Sequence, residues 1–396
     1  MATFFLILIY LTFIGLGLPD SLLGAVWPVM RGEMTAALGT AGIVSMIVSG
    51  GTILSSLASE KTVGRFGAGK VTAVSVAATA IALLGFSQAP SLAWLVALSV
   101  PLGLGAGAVD AALNNYVALH YQAKHMNWLH CFWGVGAFTG PMILAWHIQH
   151  GHGWRPGYLA IGIVQAGISA LLFATLGLWG KVNRDGEKME SARSAAVAGN
   201  KDLPKMPARA IPGVPFALAA FLCYCAIEFS TGLWSASFLV EMRGVSETWA
   251  ARGAATFYGS ITVGRFLSGF LTRKFSGPQL IRFGVLAILS GGLLLFVPAV
   301  PVAFAGLAVI GLGCAPVYPG MIHETPRRFG AANSQKVVGL QMAVAYCGTT
   351  FVPPALGYAA QALGLGVFPF AVTLIALVLL ALSEAVEKAV GKKKPA

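Results

Sequence analysis

The 396-residue chain is poor in charge: Asp, Glu, Lys and Arg make up only 10% of it, against about 25% in a soluble globular domain. That shortage excludes an ordinary water-soluble fold. With 57% hydrophobic residues and a mean hydropathy of +0.77, the composition is that of a polytopic membrane protein. Acidic residues are scarcest, 14 against 26 Lys and Arg, leaving a net charge of +12. Such an excess can signal nucleic acid or anionic substrates, but its distribution along the chain explains it without a nucleic-acid partner. Cysteine is scarce too. Cys131, Cys223, Cys225, Cys314 and Cys347 are odd in number, lie in apolar runs and lack metal or disulfide spacing. They read as small core residues.

What the sequence has in abundance is apolar runs of 18 or more residues, each long enough to cross about 30 Å of hydrocarbon. Twelve spans are expected, over 3–29, 39–59, 70–88, 91–120, 127–149, 155–180, 213–241, 248–272, 279–298, 301–323, 334–360 and 363–387. The first starts at Thr3 with no basic n-region and no small-residue cleavage site, so it reads as a retained span. With the amino terminus inside, 21 of the 26 basic residues fall on the cytoplasmic side, including Arg65, Arg273, seven in 181–209 and four in the tail. Arg31, Arg155, Arg243 and Arg252 fall outside, and Arg265 lies within a span. This positive-inside bias puts both termini in the cytoplasm, and the expected location is the cytoplasmic (inner) membrane.

One long polar stretch, 181–212, divides the chain six spans to six. The expected organisation is therefore an amino-terminal bundle at 1–180, a linker at 181–212 and a carboxy-terminal bundle at 213–396. The halves repeat at a constant offset of 208: Asp20 with Glu228, Gly24 with Gly232, Gly51 with Gly259, Arg65 with Arg273, and Gly103 with Gly311. Repeats of six spans about an axis along the membrane normal are a recurrent design of secondary transporters, with the substrate held at the midplane. The fold class is thus an all-α membrane protein of twelve helices in two six-helix bundles.

Ionisable side chains inside spans are costly and usually face a cavity or a partner. Asp110, with Asn114 one turn later, closes an apolar Gly-rich helix; Asn127, His130 and Trp133 open the next. At a rise of 1.5 Å per residue, Asp20 lies about 16 Å below Arg31 and Asp110 about 21 Å from Lys124. Glu228 is similarly deep. Helical spacing puts Asp20, Gly24 and Trp27 on one face, and Glu228, Thr231, Gly232 and Ser235 on another. Carboxylates and amides suit hydroxyl recognition, and aromatic faces suit the C–H side of a sugar ring. Trp133, Trp234, Tyr258 and Tyr346 are candidates for such a pocket, with packing as the competing reading. Asp110 is the candidate proton carrier, with His130 sharing or tuning the proton and Asp20 and Glu228 holding substrate or a second charge. For Asp110 and His130 the competing role is helix–helix contact. Arg265, about 12 Å inside Arg273, either snorkels to the cytoplasmic face or pairs with a buried carboxylate such as Glu228. Glu324, Arg327 and Arg328 read as a cytoplasmic gate network or a solvated loop end. The His147, His150, His152 cluster reads as polar loop residues rather than a metal site, since no carboxylate or cysteine accompanies it.

The motif G-x-G-x-x-x-x-D-x-x-x-N at 103–114, followed by N-x-x-H-x-x-x-G-x-G-x-x-x-G-P at 127–141, resembles the major facilitator superfamily, and within it the fucose permease group of sugar–proton symporters. Pro19-Asp20 with Pro28, Glu228 with Gly232 and Trp234, and Gly264-Arg265 extend the resemblance over the whole chain. It implies proton-coupled symport of a sugar by alternating access, in a monomer within the lipid bilayer, with no enzyme activity and no cofactor beyond the coupling ion. It implies a sugar-contacting or coupling carboxylate at Asp20 and the proton carrier at Asp110, matched by Asn114. His130 and Trp133 stand where the permease has a sugar-contacting Gln and Asn, which leaves the sugar undefined. The superfamily's loop motif keeps Arg65, Gly67 and Lys70 but lacks its Asp. An exporter exchanging protons for amphipathic compounds, sodium-coupled uptake and a non-transporting receptor remain open. A membrane enzyme would need a nucleophile–base pair or metal set near an interface, and the candidates lie at mid-depth.

Overall fold

A computed structural model describes residues 2–120, 123–179 and 211–391. Its long helices are α1 (Ala2–Asp20), α2 (Leu22–Glu33), α3 (Thr40–Phe66), α4 (Ala68–Ser87), α5 (Leu92–His120), α6 (Ala123–Gln149), α7 (Arg155–Ala174), α8 (Val214–Arg243), α9 (Glu247–Leu271), α10 (Gly277–Leu294), α11 (Val300–Phe329), α12 (Ala331–Leu363) and α13 (Val367–Gly391). No strand occurs among the described residues. All-helical architecture follows from the solvent: in hydrocarbon a helix satisfies its own backbone donors and acceptors, and an open sheet edge does not. Nearly all of the expected linker lies outside the described residues.

All twelve expected spans fall on helices. Ten helical stretches are long and apolar enough to cross a membrane. The two that fall short in apolarity are α9 and α12, of 25 and 33 residues. Their length suffices; α9 carries Arg252 and Arg265, and α12 carries Gln341 and several other polar residues. Span one is divided at Ser21, immediately after Asp20, into α1 and α2. Pro19, which lacks an N–H and crowds the carbonyl four residues back, stands just before the break.

Two compact units make up the chain, one of Met1–Ala36 with Ile43–Lys201, the other of Ala37–Gly42 with Asp202–Ala396. The short segment 37–42 joins the second, where the Gly39 N–H donates to Gln361 Oε1 at 3.3 Å. In the first unit, Phe5, Leu8, Ile9 and Phe13 of α1 pack with Leu113, Tyr116 and Val117 of α5, Leu129 of α6 and Trp179. In the second, Ile211, Val214 and Ala217 pack with Phe329, Val337 and Val386.

The helices approach until backbones touch, the mode that small residues permit in membranes. A Cβ added to Gly103 of α5 would lie 2.2 Å from the Val48 carbonyl oxygen of α3. At the repeated position in the second unit, a Cβ on Gly311 of α11 would lie 2.4 Å from the Phe257 carbonyl oxygen of α9. The offset read from the sequence is therefore a repeated helix crossing. Helix ends are tied by charge. Glu33 at the end of α2 accepts from Trp154 Nε1 at 2.6 Å and pairs with Arg155, whose Nη2 donates to the Ala89 carbonyl at 2.8 Å. In the second unit Arg282 grips Glu384 through two bonds of 2.6 and 2.5 Å, and Arg328 pairs with Glu387 at 2.6 Å.

Gly103→Val is expected to lower stability by about 1–3 kcal/mol, the cost typical of overpacking, because the obstacle is backbone. Thermal unfolding of the detergent-purified protein checks this. Gly64→Ala, where an added Cβ meets nothing within 4 Å, is the control and should leave the midpoint near wild type.

Candidate substrate and coupling site

The first unit holds two polar pairs, Asp110 with Asn114 and Asp20 with Trp133. Asn114 reaches back one turn of α5, as the i,i+4 spacing allows, and its Nδ2 donates to Asp110 Oδ1 at 2.8 Å and to the Asp110 carbonyl at 3.0 Å. Asp20, the last residue of α1, accepts from Trp133 Nε1 of α6 at 2.7 Å. Among the described residues neither Asp20 nor Asp110 forms an ion pair; both are held by neutral N–H donors. Asp20 is exposed, while Asp110 and Asn114 are half-buried.

His130, one turn before Trp133, is half-buried with its ring edge-to-face against Phe13 at 6.0 Å. Asn127 lies on the first turns of α6, as expected; its side chain is outside the described set. Tyr10 stacks on Phe132 and brings its hydroxyl to 2.9 Å from His125 Nδ1. Trp27 of α2 is wholly buried. Arg65 ends α3 exposed, its guanidinium over the Phe66 ring at 5.3 Å.

In the second unit Arg265 of α9 pairs with Glu228 of α8 at 3.5 Å, with side-chain exposures of only 14% and 9%. Of the two readings for Arg265, pairing is what the structure holds. Tyr224, one turn before Glu228, is buried and donates its hydroxyl to the Cys314 carbonyl at 3.0 Å. Tyr258 lays its hydroxyl on Gly232, 2.1 Å from where a Cβ would be. Trp234 is wholly buried, donating Nε1 to the Pro353 carbonyl at 2.9 Å and covering Gly357; its geometry is that of packing. Tyr346 is half-buried on α12, and Arg273 is exposed after the end of α9. Glu324 pairs with Arg327 and presses on Gly277 at the start of α10, where a helix N-terminus favours negative charge.

His147, His150 and His152 gather around Trp146, with ring centroids 4.8, 4.5 and 5.9 Å from it. Among the described residues no group of three or more metal-ligating side chains is arranged to hold a metal. The Trp133–Asp20 bond is the site contact that sequence reasoning missed. Both residues were legible as candidates, but nothing in a linear sequence joins positions 113 apart.

Two helical units, each carrying carboxylates within its spans, define a polytopic membrane protein of the solute-transporter class. The chain belongs to the Major Facilitator Superfamily, which it matches over residues 9–323. It is similar to the Bypass of stop codon protein 6 of Saccharomyces cerevisiae, 24% identical over 391 residues, covering 90% of this chain and 77% of that one. It is also 24% identical over 355 residues to the uncharacterized transporter y4wD of Sinorhizobium fredii, covering 85% of each. Among solved structures it resembles the nucleoside transporter NupG, with a TM-score of 0.71 at 14% identity over 96% of this chain and 98% of that one. At that identity the likeness shows the fold.

The buried pair gives an ordered set of stabilities. Arg265→Gln leaves Glu228, which can shed its charge by taking a proton; Glu228→Gln leaves a guanidinium that cannot be deprotonated. Breaking a buried pair costs about 3–5 kcal/mol, whereas replacing both partners is often neutral. Thermal midpoints in detergent should therefore fall in the order wild type and double variant, then Arg265→Gln, then Glu228→Gln.

Proposed function

We propose that this chain is a proton-coupled symporter of a small polar solute, a sugar or related polyol, working by alternating access. The observation that carries the reading is the pair of carboxylates, Asp20 and Asp110, held within one unit, among the described residues, by neutral N–H donors. Two such charges inside the hydrocarbon are stabilised by taking up a proton or an N–H or O–H donor from a solute. Asp110 carries the proton, with Asn114 fixing one carboxylate oxygen and His130 tuning the site. Asp20 presents an acceptor to solute hydroxyls, and the Trp133 ring beside it offers an apolar face to the solute's C–H side. In the second unit Glu228 serves as a further charge whose state is set by Arg265. The resemblance of 103–141 to the fucose permease group supports the same assignment. The site lies in the cytoplasmic membrane of a monomer, both termini inside, and no bond of the solute is made or broken.

A second reading is favoured by one contact. Trp133 on Asp20 puts a large apolar surface at the carboxylate, which suits an exporter that exchanges protons for an amphipathic compound. Sodium in place of the proton would use Asp110 with the Asn114 amide and backbone carbonyls.

The test is solute-induced pH change in lightly buffered proteoliposomes, scanned over monosaccharides and polyols. One sugar should alkalinise the outside medium, and Asp110→Asn should abolish that signal while leaving sugar counterflow measurable. Full accumulation by Asp110→Asn rejects the assignment, and silence across the panel in active vesicles favours the exporter or sodium.

A further inference from the structure

The interface of α8 with α9 contains polar groups that the reading above leaves unused. Glu228, Thr231, Gly232 and Ser235 share one face of α8, a stretch of about 10 Å at 1.5 Å per residue. Thr231 and Ser235 are both 0% exposed, and among the described residues neither Thr231 Oγ1 nor Ser235 Oγ has a hydrogen-bond partner. The Tyr258 hydroxyl of α9 rests on Gly232, within the same stretch. Arg265, two turns further along α9, closes one end of the row on Glu228. Buried hydroxyls are rarely left without a partner. A buried water is stable where two to four polar groups surround it, and this row supplies them.

We propose that the α8–α9 seam binds ordered water, and that this water, with the hydroxyls of Thr231, Tyr258 and Ser235, passes protons to and from Glu228. The proposal rests on the proton-coupled reading and extends it to the second unit. Serine, threonine and tyrosine hydroxyls each donate and accept, as water does, so a proton entering at one end displaces another at the next group along. The proton taken up converts the Glu228 carboxylate to the acid; release reverses the step, and no other bond changes. The guanidinium of Arg265 only donates and keeps its charge, so it ends the row rather than continuing it. The row therefore runs from Glu228 towards Ser235, on the outer side in the orientation set by the basic residues. Tyr224 also stands beside Glu228, its hydroxyl shared between Glu228 and the Cys314 carbonyl, and the thiols of Cys225 and Cys314 lie close by. Ser230 and Ser237 are also buried with no partner among the described residues, but they lie off the Glu228 face and serve as controls.

The experiment is infrared spectroscopy of the full chain in lipid nanodiscs, following the carboxylic-acid stretch of Glu228 after a switch from H2O to D2O. The band is identified by its loss in the Glu228→Gln, Arg265→Gln double variant. Thr231→Val with Ser235→Ala should slow its deuterium shift by at least about tenfold, within the range that positioned proton-transfer groups contribute. Thr231→Ser should exchange at the wild-type rate, as should Ser230→Ala with Ser237→Ala. Unchanged exchange in the Thr231→Val, Ser235→Ala variant overturns the proposal. So does equal slowing in the Ser230, Ser237 control, or a Glu228 band absent throughout an acid titration. Normal seam behaviour in a protein whose Asp110 shows no solute-driven proton uptake rejects the coupling reading and leaves the water path standing.

Discussion

Polar groups inside hydrocarbon must find their partners within the protein, and the structure follows from that constraint. It makes every described span a helix. It lets the helices approach until glycine meets carbonyl oxygen, because lipid offers no hydrophobic drive to hold apolar faces together and close packing must do so instead. It also explains why charge gathers at helix ends, where Glu33 ties α2 to Arg155 and Trp154, and Arg282 and Arg328 tie α10 and α11 to α13. The few ionisable groups left at depth are then the chemically informative ones.

Those groups are distributed unequally between two units that repeat one plan. Asp20 and Glu228 occupy equivalent positions, yet Asp20 receives an indole N–H and Glu228 a guanidinium. An indole supplies a hydrogen bond and no charge; a guanidinium supplies a charge that cannot be titrated away. The first unit thus holds two carboxylates whose charge no described cation offsets, and the second holds one that is neutralised. The same duplicated scaffold sets one carboxylate beside a neutral donor and the other beside a fixed positive charge.

Much of this was legible in one dimension. Length of apolar run locates the spans, and the single offset of 208 relates Gly103 to Gly311 before any crossing is seen. Candidate side chains announce themselves by being ionisable where little else is. Partnerships did not read so well. Arg265 had two possible roles on the same helical arithmetic, and only the approach of α8 and α9 selects Glu228. The relation of Trp133 to Asp20 is tertiary, set by the contact of α1 with α6. Hydropathy undervalued α9 and α12 because their polar residues are met by neighbouring helices rather than by lipid.

The two glycine crossings bear on how such a chain can change over generations. Around them, the halves have drifted far: a tryptophan serves one carboxylate and an arginine the other. At Gly103 and Gly311 the neighbour is main-chain oxygen, which no compensating substitution can trim. Those points are where the chain is least free to change, because in both halves a larger side chain would meet main chain.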